Sequence, residues 1–350
     1  MAVKNYLSKP RIVGNRWLFS ILILLIFAVL IPLVVRNPYK LTLLITVGTG
    51  AILAMTFVLL LKTGLVTLAI AAFWGVGAYV STMMAIKLNQ SFWMCLPASV
   101  IVTGALAFLL GIFLVRNSGF SFVIMTMILG MVFVVAVGSV NWLGGYSGVI
   151  QIPRPTPINL PFLPPIKFIS NMAMYYLMIF LMLLVVVVFA AFYNSSIGRA
   201  WTVIGLNRQL AESLGINVFK YRLLAFVLSG ATSGLVGSFY AHYVGSVRPD
   251  AFNLFKTVYV HIYAILGGIE FPLLGPIIGS LVMVLFPEYM RITHELESII
   301  TGGLLIVLII FLPTGILSLP GLKVLVSDPA KVMATIKRRV LDFIGSSKRK

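Results

Sequence analysis

The chain has 350 residues, of which 60% are hydrophobic and only 10% are charged, and its mean hydropathy is +1.09. A soluble domain of this length needs far more polar surface, so these values exclude an ordinary soluble globular protein. Apolar runs of about 20 residues recur, and each is long enough to cross ~30 Å of hydrocarbon as a helix. The pattern predicts an all-α, polytopic transmembrane protein with about ten spans.

The net charge of +18 does not indicate a nucleic-acid partner. The Lys and Arg residues lie in short loops and tails, which is typical of a protein oriented in a membrane. The single cysteine, Cys95, excludes an internal disulfide and a thiolate metal cluster. It lies in an apolar run, where we interpret it as a small apolar filler.

Taken in chain order, the apolar runs predict ten membrane spans. These are 17–35, 41–61, 65–86, 92–115, 119–140, 172–193, 223–245, 254–268, 276–290 and 299–317. The first run is too long for the apolar region of a signal peptide, and no small-x-small cleavage site follows it. It is therefore predicted to be a retained span.

The distribution of positive charge predicts the orientation. With the N-terminus in the cytoplasm, 18 of the 26 Lys and Arg residues fall on the cytoplasmic side. This asymmetry predicts that both termini are cytoplasmic. Residues 1–322 then form the transmembrane domain, and the basic tail 323–350 is predicted to lie on anionic lipid headgroups as an amphipathic helix.

The long outer loop 141–171 contains six prolines in the stretch 151–167. Proline disfavours a helix and favours extended, turn-rich backbone. Two interpretations stay open: a rigid connector, or a docking surface for an extracytoplasmic partner.

Small residues follow two patterns along the spans. Ser229, Ser233 and Gly237 share one helix face, as Gly275 and Gly279 do, and this spacing predicts close helix packing. In 64–79 and 266–279, glycine and proline instead interrupt the apolar run. Paired interruptions of this kind predict broken helices beside a transport pathway.

The half-polar stretch 198–222 is too short to span the membrane and too regular for a loose linker. Asn207 is placed to cap the N-terminus of a helix, and Gly215 to end it with a positive φ. Between them, Leu210 and Leu214 share one face.

A helix this short is unstable in water, so something must pack against it. The polar residues Arg208, Gln209 and Glu212 point away from the leucine face, and the preceding turn places Trp201 and Ile204 on one side. The helix packs either on its own membrane domain or in a groove of a cytoplasmic partner.

This stretch resembles the cytoplasmic coupling loop, here 194–222, of ABC-transporter permeases, specifically the branched-chain amino-acid permeases of the LivM type. The matching residues are Gly198-Arg199-Ala200, then 211–216, then 222–226 with Ser229; the likeness continues in 234–252, 266–280 and 311–317, and upstream in Phe73, Gly75, Gly77, Ala78 and Tyr79 and in Gly144, Gly145 and Gly148. Together these segments cover most of the chain from about 45 to 320.

The resemblance implies a permease subunit of a binding-protein-dependent importer in a bacterial or archaeal cytoplasmic (inner) membrane. Its expected partners are a second homologous permease, two nucleotide-binding ATPase subunits and an extracytoplasmic solute-binding protein. The chain has no GxxxxGK[ST] phosphate loop, so it is not expected to be an enzyme. ATP and Mg are expected in the partner subunits, and no cofactor or metal is expected in this chain.

Two sets of candidate residues follow from the resemblance together with the patterns above. The candidate coupling residues are Arg199, Trp201, Asn207, Leu210, Glu212, Leu214 and Gly215. The candidate translocation path comprises Thr67, Phe73, Tyr79 and the predicted breaks at Gly75, Gly77, Gly267 and Gly268.

The chain departs from the family pattern at three places. Where the family has Gly and then His or Gln before Ala-Ala-Phe, this chain has Ala69 and Ile70. If this part of the chain carries substrate, the change makes the path more apolar and weakens the expectation of an amino-acid cargo. Leu312 stands where the family often has Arg. Glu270 replaces a small or polar residue and is interpreted as a salt-bridge partner at the inner face.

Three rival functions remain. A membrane enzyme needs convergent ionisable groups, whereas His242, His261 and His294 lie near predicted outer ends of spans or in a loop, where hydrogen bonding is the simpler role. An ion-coupled carrier normally keeps intramembrane charges, which these spans nearly lack. A channel or secondary carrier for a small neutral solute such as urea or an amide is the alternative function; a purely structural scaffold is the third.

Overall fold

The computed structural model describes residues 37–117, 119–157 and 168–289, together with positions 32, 303 and 315–318. The predicted spans 17–35 and 299–317 lie outside the described residues, except for positions 32, 303 and 315–317. Leu312, the tail 323–350 and residues 158–167 of the proline-rich loop also lie outside, so the division at residue 322 stays a prediction.

The described chain is almost entirely helical, which confirms the predicted fold class. Its helices are α1 (Pro38–Leu61), α2 (Ile70–Lys87), α3 (Phe92–Leu114), α4 (Phe120–Ser139), α5 (Asn171–Asn194), α6 (Ser196–Leu206), α7 (Arg208–Ser213), α8 (Val218–Val244), α9 (Leu254–Gly267) and α10 (Leu274–Tyr289). One pair of two-residue strands, β1 (Val149–Ile150) and β2 (Ser246–Val247), joins two loops in antiparallel register.

Helices α1 to α5 and α8 are each long and apolar enough to cross a membrane. They confirm the six predicted spans between 41 and 245. Helices α9 and α10 have 14 and 16 residues and measure about 21 and 24 Å at 1.5 Å per residue. The spans predicted at 254–268 and 276–290 are thus helical, but each is shorter than the ~30 Å hydrocarbon layer.

Helix α8 lies at the centre of the described helices and packs against α1, α2 and α3. Helix α1 is also enclosed, since 83% of its 18-residue apolar stretch is buried. In α3 and α4 only 28% and 22% of the corresponding stretch is buried. Because the side chains that α3 and α4 leave exposed are apolar, this side of the protein suits lipid or a second membrane subunit.

The contact between α2 and α8 depends on glycine. A Cβ atom on Gly77 would overlap the backbone of Gly234, and one on Gly237 would overlap the backbone of Trp74. Ser229 and Ser233 are buried on the same helix. The small-residue face predicted for α8 is therefore a packing face, as expected for helices that approach backbone to backbone.

The predicted helix break at Gly75 and Gly77 is wrong. Both glycines lie inside the continuous helix α2, and a Cβ atom on Gly75 would overlap the ring of Phe133. The chain is instead irregular at residues 62–69, before α2, where Gly64 has φ +74°. At these two positions glycine allows close packing and does not break the helix.

The described part of the outer loop runs in turns and extended backbone over the ends of the helices. The Nδ1 of His242 donates to the carbonyl of Pro153 at 2.6 Å, which leaves Nε2 to accept from the Ser81 hydroxyl at 2.9 Å. The indole of Trp93 donates to the carbonyl of Thr156 at 3.1 Å. These bonds agree with the hydrogen-bonding role predicted for His242 and hold the loop against the helices.

We predict that Gly77→Ala lowers the free energy of unfolding by about 2 kcal/mol, because the added methyl group would force α2 and α8 apart. Gly104→Ala in α3 is the matched control, since its Cβ would meet only the Ala231 methyl at 3.4 Å. Thermal unfolding of the two variants in the same detergent measures the difference, and equal melting temperatures would contradict the prediction.

Candidate functional site

Helices α6 and α7 connect the membrane helices α5 and α8 and form the candidate coupling segment, residues 196–216. The Asn207 side chain accepts a hydrogen bond from the amide of Leu210 at 3.1 Å, which caps α7. Ser195 caps α6 in the same way by accepting from the amide of Ile197. The predicted cap at Asn207 is confirmed.

Helix α7 ends as the sequence predicts. Gly215 has φ +76°, and its amide donates to the carbonyl of Glu212 at 3.0 Å. The next amide, of Ile216, donates to the carbonyl of Ala211 at 3.0 Å. These two bonds form a Schellman motif, which satisfies the last carbonyls of the helix.

The coupling segment is anchored by an aromatic side chain. Trp201 is fully buried, stacks on Phe192 and donates from Nε1 to the carbonyl of Tyr221 in α8 at 2.8 Å. Ile204, about one helical turn after Trp201, is also buried, as the helical spacing predicts. Any role of Trp201 in coupling would be exercised through α8, because its side chain is not exposed to a partner.

Helix α7 presents an apolar pair to solvent. Leu210 and Leu214 are 49% and 46% exposed, while Arg208 and Glu212 form a salt bridge of 2.9 Å between Nε and Oε1. Arg199 is also exposed. Leu206, which the sequence did not single out, is exposed just before the cap.

The irregular link 62–69 forms the first candidate point on the transport path. Threonine hydroxyls accept hydrogen bonds from amides here: Leu68 in the link donates to Thr126 of α4 at 3.0 Å, and Ala71 in the first turn of α2 donates to Thr257 of α9 at 3.1 Å. Both threonines are buried, so protein groups satisfy these amides. Lone threonines are too common in spans for the sequence to reveal this role.

Two predicted path residues lie at this end of α2. Thr67 is buried, and its hydroxyl accepts from the amide of Ala69 at 3.2 Å. Phe73 packs edge-on against Phe226 of α8, with ring centroids 5.4 Å apart.

The second break, between α9 and α10, is confirmed at Gly268. Gly268 has φ +109°, and its carbonyl accepts from the amide of Phe271 at 3.2 Å. Gly267 is the last residue of α9, and a Cβ atom there would overlap the backbone of Gly275. The break and the close packing therefore occur at adjacent glycines.

Helix α9 connects the two breaks. Thr257, near the start of α9, accepts a hydrogen bond from the amide of Ala71 beside the first break, and α9 ends at the second break. Glu270 lies close enough to Lys62 to oppose the lowering of the lysine's pKa that burial causes. This proximity agrees with the charge partnership expected of Glu270.

Tyr79 lies further along α2 in a cluster of aromatic rings. Phe252 is at its centre and packs edge-on with Trp74, Tyr79, Phe133 and Tyr240. The hydroxyl of Tyr79 and the Nε1 of Trp74 are buried without a hydrogen-bond partner among the described residues. A buried donor without an acceptor destabilises the protein, so these two groups could donate hydrogen bonds to an acceptor atom of a ligand.

The described residues contain no group of three His, Cys, Asp or Glu side chains that could hold a metal ion. The candidate site consists of the capped helix pair α6 and α7, two broken-helix points and an aromatic cluster.

A model of the branched-chain amino acid transport system permease component family matches residues 39–309. The chain belongs to this family. The match covers α1 to α10, including the coupling segment and both breaks.

Individual relatives agree with the family match. The chain is similar to the LivM permease proteins of the high-affinity branched-chain amino acid transport systems of Salmonella typhimurium and Escherichia coli K12. Each is 28% identical over an alignment of 281 residues that covers 75% of this chain. The chain spans about two thirds of the length of these relatives, since the aligned part is 66% of each.

A second kind of relative matches over a shorter part. The LivH permease protein of Escherichia coli K12 is 26% identical over 155 residues, covering 43% of this permease-family chain and 48% of LivH. No solved structure matches the chain.

We predict that Asn207→Ala destabilises α7 by about 1 kcal/mol, because the amide of Leu210 loses its acceptor. Hydrogen exchange of the α7 amides in the full chain measures the effect. Asn207→Asp keeps an acceptor oxygen at the cap and should retain protection; if both variants exchange like the parent chain, the cap does not hold the helix.

Proposed function

We propose that the chain is the permease subunit of an importer that moves a small organic solute by ATP-driven alternating access. A branched-chain or other hydrophobic amino acid is the leading solute, by analogy with the named relatives. The observation that carries the proposal is the coupling segment: its capped helix α7 exposes the Leu210 side chain, Leu214 is exposed just after it, and the preceding helix α6 is anchored to α8 through Trp201.

A continuous mechanical route connects this segment to the broken helices. Helix α8 begins at the Asn217 cap, directly after the coupling segment, and runs for 27 residues without interruption. Arg222 of α8 donates a hydrogen bond of 3.1 Å from its Nε to the carbonyl of Thr63, which lies in the first break. Movement of α7 would therefore shift α8 and, through Arg222, the link 62–69.

The energy would come from elsewhere. We infer two nucleotide-binding ATPase subunits that hold ATP and Mg, a second homologous permease and an extracytoplasmic solute-binding protein. ATPase closure would move the coupling segment as a lever and bias the permease between inward-open and outward-open states. The proposed location is a bacterial or archaeal cytoplasmic membrane, with both termini in the cytoplasm.

The alternative is a channel or secondary carrier for a small neutral solute such as urea or an amide. The unpaired donors of Tyr79 and Trp74 would suit a carbonyl oxygen as well as a carboxylate. The two functions differ in energy source, because only the importer needs a docked ATPase to accumulate solute.

Reconstitution in vesicles tests the energy source. The chain alone should not accumulate a labelled branched-chain amino acid, whereas the chain with its ATPase and binding-protein partners should accumulate it on addition of ATP. Accumulation by the chain alone would overturn the importer.

We predict that Leu210→Ser reduces co-isolation of the ATPase subunits and ATP-driven uptake about ten-fold, because it removes an apolar contact from the exposed face of α7. Leu88→Ser is the matched control. Leu88 is also an exposed leucine, but it follows the C-terminal end of α2, whereas the link 62–69 precedes the N-terminal end. Equal loss in both variants, or no loss in Leu210→Ser, would remove α7 as the docking element.

We predict that Tyr79→Phe raises the solute concentration for half-maximal uptake about ten-fold, the effect of losing one hydrogen bond to a charged group. The melting temperature should not fall, because the Tyr79 hydroxyl has no partner among the described residues. Tyr146→Phe in the outer loop, where Tyr146 is exposed, is the control. Unchanged uptake in Tyr79→Phe would place the solute path away from the aromatic cluster.

A further inference from the structure

A cleft of about 350 Å³ opens beside the coupling segment. Its walls are the residues that follow α3, the polar face of α7 and the first turns of α8. We call it the basic cleft, and its charged and aromatic lining consists of Arg116, Arg208, Glu212, Phe219 and Arg222.

The charges that face the cleft do not balance. Among the described residues, three guanidinium groups face a single carboxylate, and Glu212 is already bound to Arg208 at 2.9 Å. Arg116 lies over the ring of Phe219 at 5.7 Å, a contact that positions its charge without neutralising it. The cleft therefore favours an anion.

Arg222 gives an independent indication of a ligand. It is only 4% exposed, and although its Nε donates to Thr63, its Nη1 is buried with no hydrogen-bond partner among the described residues. A buried guanidinium that forms no salt bridge within the described part of the chain is strongly unfavourable. An anion in the cleft would supply the missing negative charge.

The surroundings of the cleft indicate where the anion comes from. At the same end of the helices, Phe113 of α3 and Phe120 of α4 are 73% and 78% exposed, and they begin the wide apolar face of these two helices. Acyl chains would lie along this face, and in the predicted orientation their headgroups would reach Arg116. Guanidinium is well matched to phosphate geometry.

We propose that the basic cleft binds the phosphate of an anionic phospholipid of the cytoplasmic leaflet. The bound headgroup would link α3, α7 and α8 and so fix the base of the coupling segment. The proposal goes beyond transport, since lipid binding is measured without solute or ATP, and its failure would leave the proposed function untouched.

Native mass spectrometry of the full purified chain tests the proposal, with phosphatidylglycerol titrated against phosphatidylcholine. The chain should retain one phosphatidylglycerol in preference to phosphatidylcholine. Arg116→Gln should weaken this retention about five-fold, as expected for one arginine near an anionic lipid. Arg116→Lys, which keeps the charge, should retain most of it, and Lys220→Gln, which removes an exposed cation of α8 outside the cleft lining, should change it less than two-fold.

Three outcomes would overturn the proposal. Equal retention in Arg116→Gln and Lys220→Gln would show non-specific charge attraction. Displacement of the lipid by sodium phosphate, but not by sodium chloride at the same ionic strength, would assign the cleft to soluble phosphate. If the assembled transporter excludes the lipid and Arg116→Gln weakens ATPase assembly instead, the occupant is an acidic side chain of a partner.

Discussion

The backbone contact between α2 and α8 is the constraint on which the rest of the structure depends. At Gly77, Gly234 and Gly237 the two helices approach so closely that a single methyl group would separate them. Lipid offers no hydrophobic driving force for helix association, so contact of this kind supplies the attraction. Since α8 also continues directly into the coupling segment, the position of α2 is tied to events at the opposite end of α8.

The contact between α2 and α8 matters because α2 begins at the irregular link 62–69. The link 62–69 and the first turn of α2 leave backbone groups without helical partners, and Thr126, Thr257 and Arg222 from three different helices satisfy some of them. The break is therefore a junction of α4, α8 and α9 as well as of α1 and α2. A displacement of any of these helices changes the hydrogen bonds at the junction, which makes it a natural place for two discrete arrangements.

The sequence predicts those features that depend on neighbouring residues. The cap at Asn207, the positive φ of Gly215, the break at Gly268 and the six long spans all follow from local chemistry and length. Features that depend on distant contacts were not predictable. Gly75 and Gly77 have the same local signal whether a helix breaks there or packs there, and only the positions of Phe133 and Gly234 decide between the two. The threonine partners of the link 62–69 and the unpaired Nη1 of Arg222 likewise have no signature in one sequence.

Arg222 connects the first break with the basic cleft because its side chain contacts both. Its Nε holds the carbonyl of Thr63 in the break, while the same side chain lines the cleft beside α7. An anion in that cleft would fix the guanidinium, and a fixed guanidinium would fix the link 62–69. A short helix such as α7 cannot transmit force unless its base is rigid, since six residues have little helical stability of their own. In the proposed importer, the capped helix would receive the movement of the ATPase, and Arg222 would determine how much of that movement reaches the first break.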